Sequence, residues 1–296
     1  MTTQNRPKWA LTLLAWGFIS ITTASAASSQ SAGEVPVEER AERSAAAELK
    51  AAVAKLDPAA AGRLIFTEAD ARDEGYVDLS VDLRMVLKNA RGRATERALR
   101  IRQLEVADDG DKVLVVFDAP GNIRGTALLS HAHPSTPDDQ WLFLPALKRT
   151  KKIASRNRSG PFVGSEFSFE DLSPREIDKY TYEFLGIEAC GALECFVVNR
   201  TPLDEYSGYT LQRVALDVEH LRVQQIDFTD RRNQPYKQLK VTGYELFKQR
   251  FWRPSFMHMS NLRTKKTTEL HWDNYQFEVG FEADRDFSVN SLRRIR

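Results

Sequence analysis

The chain has 296 residues, 42% of them hydrophobic and 28% charged, which gives a sizeable core and excludes wholesale disorder. Lysine and arginine number 42 against 41 acidic residues, a net charge of +1, so no overall basic field directs the chain to nucleic acid, and none is expected as a partner. With 2 cysteines and 5 histidines, disulfide-rich scaffolds and multi-cysteine zinc modules are excluded, and few groups remain for metal or acid–base chemistry.

Residues 1–26 read as a secretory signal. Arg6 and Lys8 supply the positive start, residues 9–23 carry no charge, and Ala24-Ser25-Ala26 is a small-x-small cleavage site before Ala27. The apolar run is shorter than the ~20 residues of a membrane span, which makes a signal anchor the weaker reading. Removing residues 1–26 leaves 40 basic against 41 acidic side chains, a net charge of −1. No cysteine follows the cleavage site, so no lipid anchor is expected there. Cys190 and Cys195 lie close together. In an oxidising compartment they are expected to pair, two reduced thiols being the alternative. Their spacing is not that of a thioredoxin-like redox motif.

Residues 27–36 are small and polar, a flexible leader. Ala45, Leu49, Val53 and Leu56 recur at helical spacing and predict an amphipathic helix over 37–56, ended by Pro58. A second short helix is predicted over 60–69. After Gly75 the period changes to two: Val81, Leu83, Met85 and Leu87 alternate with Asp82, Arg84 and Lys88. Leu99 and Ile101 alternate with Arg100 and Arg102, and residues 112–117 form a largely apolar strand. Further strands are predicted over 126–130, 141–144, 180–186, 195–199, 210–217, 222–228, 237–244, 252–260 and 264–272. Short turns and the lack of alternating helices predict one antiparallel meander. A sheet this long curls toward a barrel or half-barrel.

No catalytic signature is present, and no catalytic residue is assigned. His131 and His133, with Asp138 and Asp139 nearby, are the best metal candidates. Pro134 to Pro137 make the segment a loop tip, and without a third strong ligand a solvated turn outweighs a metal site. Glu166, Glu170 and Asp171 could do paired acid–base work, but they alternate with Phe167 and Phe169. That pattern also describes a segment closing over a core, and with no partner acid or base to be located the structural reading outweighs catalysis.

Lys148, Arg149, Lys151, Lys152, Arg156 and Arg158 form the one dense basic run. It is read either as a docking surface for anionic headgroups or an acidic partner, or as a solvated strand pair. The first four are taken as the docking candidates. The apolar strand faces are expected to line an interior. Leu83, Met85, Leu99, Ile101, Val115, Phe117, Phe143, Val241 and Met257 are the candidates for contact with an apolar ligand.

Several stretches, in order, resemble a known family: FDAP (117–120), GTALL (125–129), WLFLPALKR (141–149), GSEFSFEDL (164–172), WRP (252–254) and TTEL (267–270). The chain looks like an outer-membrane lipoprotein-sorting protein, in the group similar to the periplasmic carrier LolA. The resemblance covers about residues 65–296. It implies a mainly β fold, a curled and incomplete antiparallel barrel with helices over its concave face. Together with the signal and leader read above, it divides the chain into a signal (1–26), a leader with an amphipathic helix (27–62) and a LolA-like half-barrel domain (63–296). It implies a non-enzymatic periplasmic carrier, without cofactor, that holds lipid or lipoprotein acyl chains and passes them toward the outer membrane. Members of the broader group are linked with inner-membrane exporters of the resistance–nodulation–division type. The alternative is therefore an accessory or scaffold of such an exporter with no cargo of its own.

Overall fold

The computed structural model describes residues 37–174 and 176–295. The expected signal and most of the leader lie outside the described residues. Among these, thirteen strands form one antiparallel sheet. Six of them make the first meander: β1 (Asp78–Lys88), β2 (Ala94–Leu104), β3 (Lys112–Ala119), β4 (Ala127–His131), β5 (Asp139–Leu144) and β6 (Arg149–Lys152). The second meander has β7 (Tyr180–Cys190), β8 (Leu193–Pro202), β9 (Tyr209–Asp217), β10 (Val223–Asp230), β11 (Pro235–Phe247), β12 (Phe251–Asn261) and β13 (Thr267–Phe277). Pairing of β1 with β13 joins the two meanders, Leu83 lying opposite Trp272. The edges are β6 and β7, so hydrogen bonds do not close the sheet.

The sheet is nevertheless strongly curled. Asp138 precedes β5 and Lys179 precedes β7, near opposite edges, yet the two side chains form an ion pair. On a flat sheet they would stand roughly 50 Å apart at the usual strand spacing. This is the incomplete barrel expected from the sequence.

Two helices and one long crossover fill the concave side. In α1 (Val37–Val53), the buried Ala46, Leu49 and Val53 make the inward stripe. Lys50 ties it to Glu194 at 2.6 Å. Pro58 does not act as the expected stop for this helix: α1 ends at Val53, and Pro58 opens α2 (Pro58–Asp73). Asp57 caps that second helix, accepting from the backbone N–H groups of Ala59 and Ala60. Proline suits a first helical position, where its missing N–H would have no partner anyway. Gly62 lets α2 approach the sheet, because a Cβ there would stand 2.9 Å from Tyr182 Cβ and 3.2 Å from the Glu183 nitrogen. The crossover from β6 to β7 consists of short 3-10 turns, among them Phe162–Gly164 and Glu170–Leu172.

The convex side carries a second apolar layer that the sequence analysis did not foresee. Phe287 and Leu292, in the C-terminal segment with α3 (Ala283–Asp286), pack on Leu114, Val116, Leu129 and Phe143. Both faces of β3 and β4 are thus covered, which explains why these strands read as nearly continuous apolar runs. The strand β6 lies in the basic run, where a solvated strand pair is one of the two readings, but it is not among the strands predicted by alternation. It is short, basic and exposed, with no alternation to betray it, and such features protect a sheet edge from pairing with another chain.

Candidate functional site

The inner face of the sheet is a continuous apolar surface. Leu83 and Met85 of β1, Leu99 and Ile101 of β2, Val115 and Phe117 of β3, Val241 of β11 and Met257 of β12 belong to one cluster. Residues two apart on a strand share a face, so the alternation read from the sequence brings these side chains together. Phe143 is the exception and corrects the expectation. It pairs with Ala127 and packs on the convex side with Phe287 and Leu292, while its neighbour Leu142 faces inward. Both faces of β5 are apolar, so hydrophobicity alone could not fix which one points in.

This face is covered. Met85 is 1% and Phe117 0% exposed, and Ile65 of α2 with Phe162 and Phe167 of the crossover lie against the same cluster. The Phe117 and Phe162 rings meet at 5.5 Å. The cover residues were legible only as the alternating aromatics of 164–171. Toward the ends of β11, β12 and β13 the layer is less complete: Tyr244, Met257, Trp272, Tyr275 and Phe277 are half-buried against the core. The Trp272 indole N–H is buried without a hydrogen-bond partner among the described residues.

The carboxylates of the crossover serve as anchors. Glu170 accepts from the Ser207 hydroxyl at 2.8 Å and the Gly208 N–H at 2.9 Å. Burial, with the nearby Asp171 charge second, pushes its pKa up to about 7. Asp171 accepts from the Ser168 N–H at 2.7 Å and from the Tyr209 hydroxyl at 3.0 Å. Glu166 accepts from the Asn261 amide at 2.7 Å, and its own N–H donates to Thr268 Oγ1. Each carboxylate ties the crossover to the ends of strands β8 to β13, and their oxygens are engaged by those donors rather than gathered around a common space.

His131 and His133 are not brought together. His131 Nε2 contacts the Phe287 carbonyl at 2.7 Å, whereas His133 Nδ1 meets Asp109 at 2.8 Å. No cluster suited to a metal ion occurs among the described residues. Lys148, Arg149, Lys151 and Lys152 lie on and beside the edge strand β6, exposed to solvent. Lys152 pairs with Asp139 at 2.6 Å and sits over the Trp141 ring. Among the described residues Lys148, Arg149 and Lys151 make no ion pair. Arg158, the last cation of the run, is buried instead: its guanidinium lies between Asp138 at 3.5 Å and Asp204 at 2.7 Å. Cys190 and Cys195 form a disulfide across the β7–β8 hairpin, with Cα atoms 5.9 Å apart.

An open curled sheet with an apolar inner face beneath a helical cover defines the LolA-like class of folds. A LolA superfamily protein from Nitrosomonas europaea has this fold at 15% identity, with a TM-score of 0.63 over 78% of this chain and 98% of its own. Higher identity is found in a domain from Vibrio parahaemolyticus designated an outer membrane lipoprotein-sorting protein. It is 45% identical, with a TM-score of 0.78, over 80% of this chain and all of its own. A DUF1329 family protein from Desulfovibrio piger shares 25% identity with a TM-score of 0.76 over the same share of this chain. A family model described only as an uncharacterized protein matches residues 109–294. No curated protein matches the chain. The chain belongs to the outer-membrane lipoprotein-sorting protein family, and its fold is LolA-like.

Proposed function

We propose that the protein is a non-enzymatic carrier, exported by residues 1–26 to the periplasm. There it holds the acyl chains of a lipid or lipoprotein against the inner face of the sheet and passes them toward the outer membrane. The observation that supports this reading best is the apolar inner face beneath a cover made of separate short elements. Each CH₂ of an acyl chain exposed to water costs ~0.8 kcal/mol, so a carrier must offer an apolar lining in exchange. The cover already occupies that lining, and cargo therefore competes with it. Capture requires the crossover or α2 to swing away, and release is favoured when Phe162, Phe167 and Ile65 return to the face. Short elements fastened by a few polar links are suited to such local opening.

The half-buried aromatic end of β11 to β13 is the natural place of entry. The edge strand β6 supplies a docking surface for anionic headgroups, since its cations are exposed and mostly unpaired. Reversing Lys151 and Lys152 to Glu should abolish salt-sensitive flotation with anionic liposomes while leaving bound lipid in place. Equal flotation of variant and parent at low salt would remove the docking role.

One observation favours a second reading, an accessory or scaffold of an inner-membrane exporter of the resistance–nodulation–division type. The inner face is filled by the protein's own side chains, as a module without cargo would have it. Native mass spectrometry of protein taken from envelope extracts separates the two. Co-purifying lipid supports the carrier, and lipid-free protein found only with a membrane partner supports the scaffold.

A further inference from the structure

On the convex side, away from the proposed carrier face, a cavity of about 250 Å³ opens between the sheet and the C-terminal segment. Arg100 and Arg102 of β2, and Arg285 and Arg294 of the C-terminal segment, line it above the apolar side chains of Leu114 and Val116. Among the described residues of that lining, Asp286 is the only carboxylate. Two of the four guanidinium groups have carboxylate partners: Arg100 is held by Asp118 at 2.8 and 2.9 Å, and Arg285 by Glu282 and Asp286.

Among the described residues the other two do not. Arg102 lies over the Phe281 ring at 5.2 Å and has no carboxylate within ion-pair distance among the described residues. Burial disfavours its charge, and the neighbouring Arg100 adds to the effect, while Asp286 and Asp118 oppose it from beyond ion-pair distance. Among the described residues Arg294 donates only to the Arg285 carbonyl, at 3.4 Å. Arg102 is half-buried and its carboxylates act only from a distance, so an anion in direct contact would offset the cost of burying its charge, whereas Arg294 is exposed at the mouth of the cavity. The planar donor fork of arginine matches phosphate oxygens, and several such forks around one space suit a multiply charged oxyanion better than a single carboxylate. The apolar floor and the volume leave room for more than the anion itself.

We propose that this cavity binds a phosphate group, with Arg102 and Arg294 as its principal donors and Leu114 and Val116 receiving the apolar atoms next to it. The phosphate can be that of a lipid headgroup or free in solution. The site stands apart from the inner face and does not depend on the carrier reading. Isothermal titration of the full mature chain with inorganic phosphate, and separately with dihexanoyl phosphatidic acid below its micelle concentration, tests it. Arg102→Gln and Arg294→Gln should each weaken binding at least about tenfold, the loss expected for one charge-assisted contact. Arg294 is in the terminal segment, so its variant keeps the test valid if Arg102→Gln fails to fold. Binding of both probes with this loss assigns the site to phosphate in general, and binding of the phosphatidate alone assigns it to a lipid headgroup. Binding of neither probe, or binding that folded variants retain undiminished, overturns the proposal.

Discussion

Glu170 is a buried carboxylate that two donors hold at the crossover, and burial raises its pKa from an ordinary 4.5 to about 7. Between those values the folded chain keeps a proton that the unfolded chain has lost. Its contribution to stability is therefore fully present below about pH 4.5 and is lost as the pH rises through about 7. At pH 8 the cost amounts to up to about 3 kcal/mol. Glu170→Gln should flatten this part of the pH dependence. Thermal melts at pH 5 and pH 8 should show the parent losing more stability than the variant. Asp70, pushed up to about 6 by burial, changes in the same direction but is present in both proteins, so the difference isolates Glu170. Parallel losses would show that the carboxylate is not held as described. The role of this residue was only half legible. The alternation of acids with Phe167 and Phe169 suggested a segment closing over a core, but the partners Ser207 and Gly208 are distant in sequence and carry no pattern.

Among the elements, α2 depends on a close approach that one glycine permits. An added methyl at Gly62 would meet Tyr182 Cβ and the Glu183 nitrogen, atoms fixed by the backbone of β7 that cannot swing aside. Alanine improves intrinsic helix propensity by ~1 kcal/mol, yet overpacking of this kind costs ~1–3 kcal/mol. Gly62→Ala should therefore destabilise the protein by about 1 kcal/mol, and a bulkier Gly62→Leu by more, with faster hydrogen exchange in α2. Denaturant unfolding checks the first and exchange mass spectrometry the second. A stabilised Gly62→Ala protein would mean that α2 sits farther from the sheet.

Most elements were legible because burial on one face imposes period two on a strand and 3.6 on a helix. Where two constraints overlap, the signal fails. Pro58 ends one helical pattern and begins another. β6 has no buried face to impose a period. Phe143 sits on a strand covered from both sides, so a parity read from hydrophobicity has nothing to choose between. The C-terminal layer over the convex face was missed for the same reason, since its apolar residues are few and follow no regular spacing.

In the whole molecule, Arg158 links the two ends of the curled sheet. Its side chain is 7% exposed and lies between Asp138, beside β5, and Asp204, beyond β8, while Lys179 adds the β7 side. Removing one partner of a buried ion pair costs ~3–5 kcal/mol, because the remaining charge stays buried. Arg158→Met should lower stability by about that amount and raise hydrogen exchange along the edge strands β6 and β7. Unchanged exchange at both edges would show that the barrel holds its curl without this link.

The central claim is that acyl chains occupy the inner face once the cover yields. The most direct measurement is photo-crosslinking of the mature protein with a fatty acid that carries a diazirine in its chain, followed by peptide mapping. The account predicts adducts on the inner face around Met85, Met257 and Trp272, and on Phe162 or Phe167 of the cover, with none at Phe143 or Trp141. Adducts confined to the convex side, or no adduct above that of a denatured control, would contradict it.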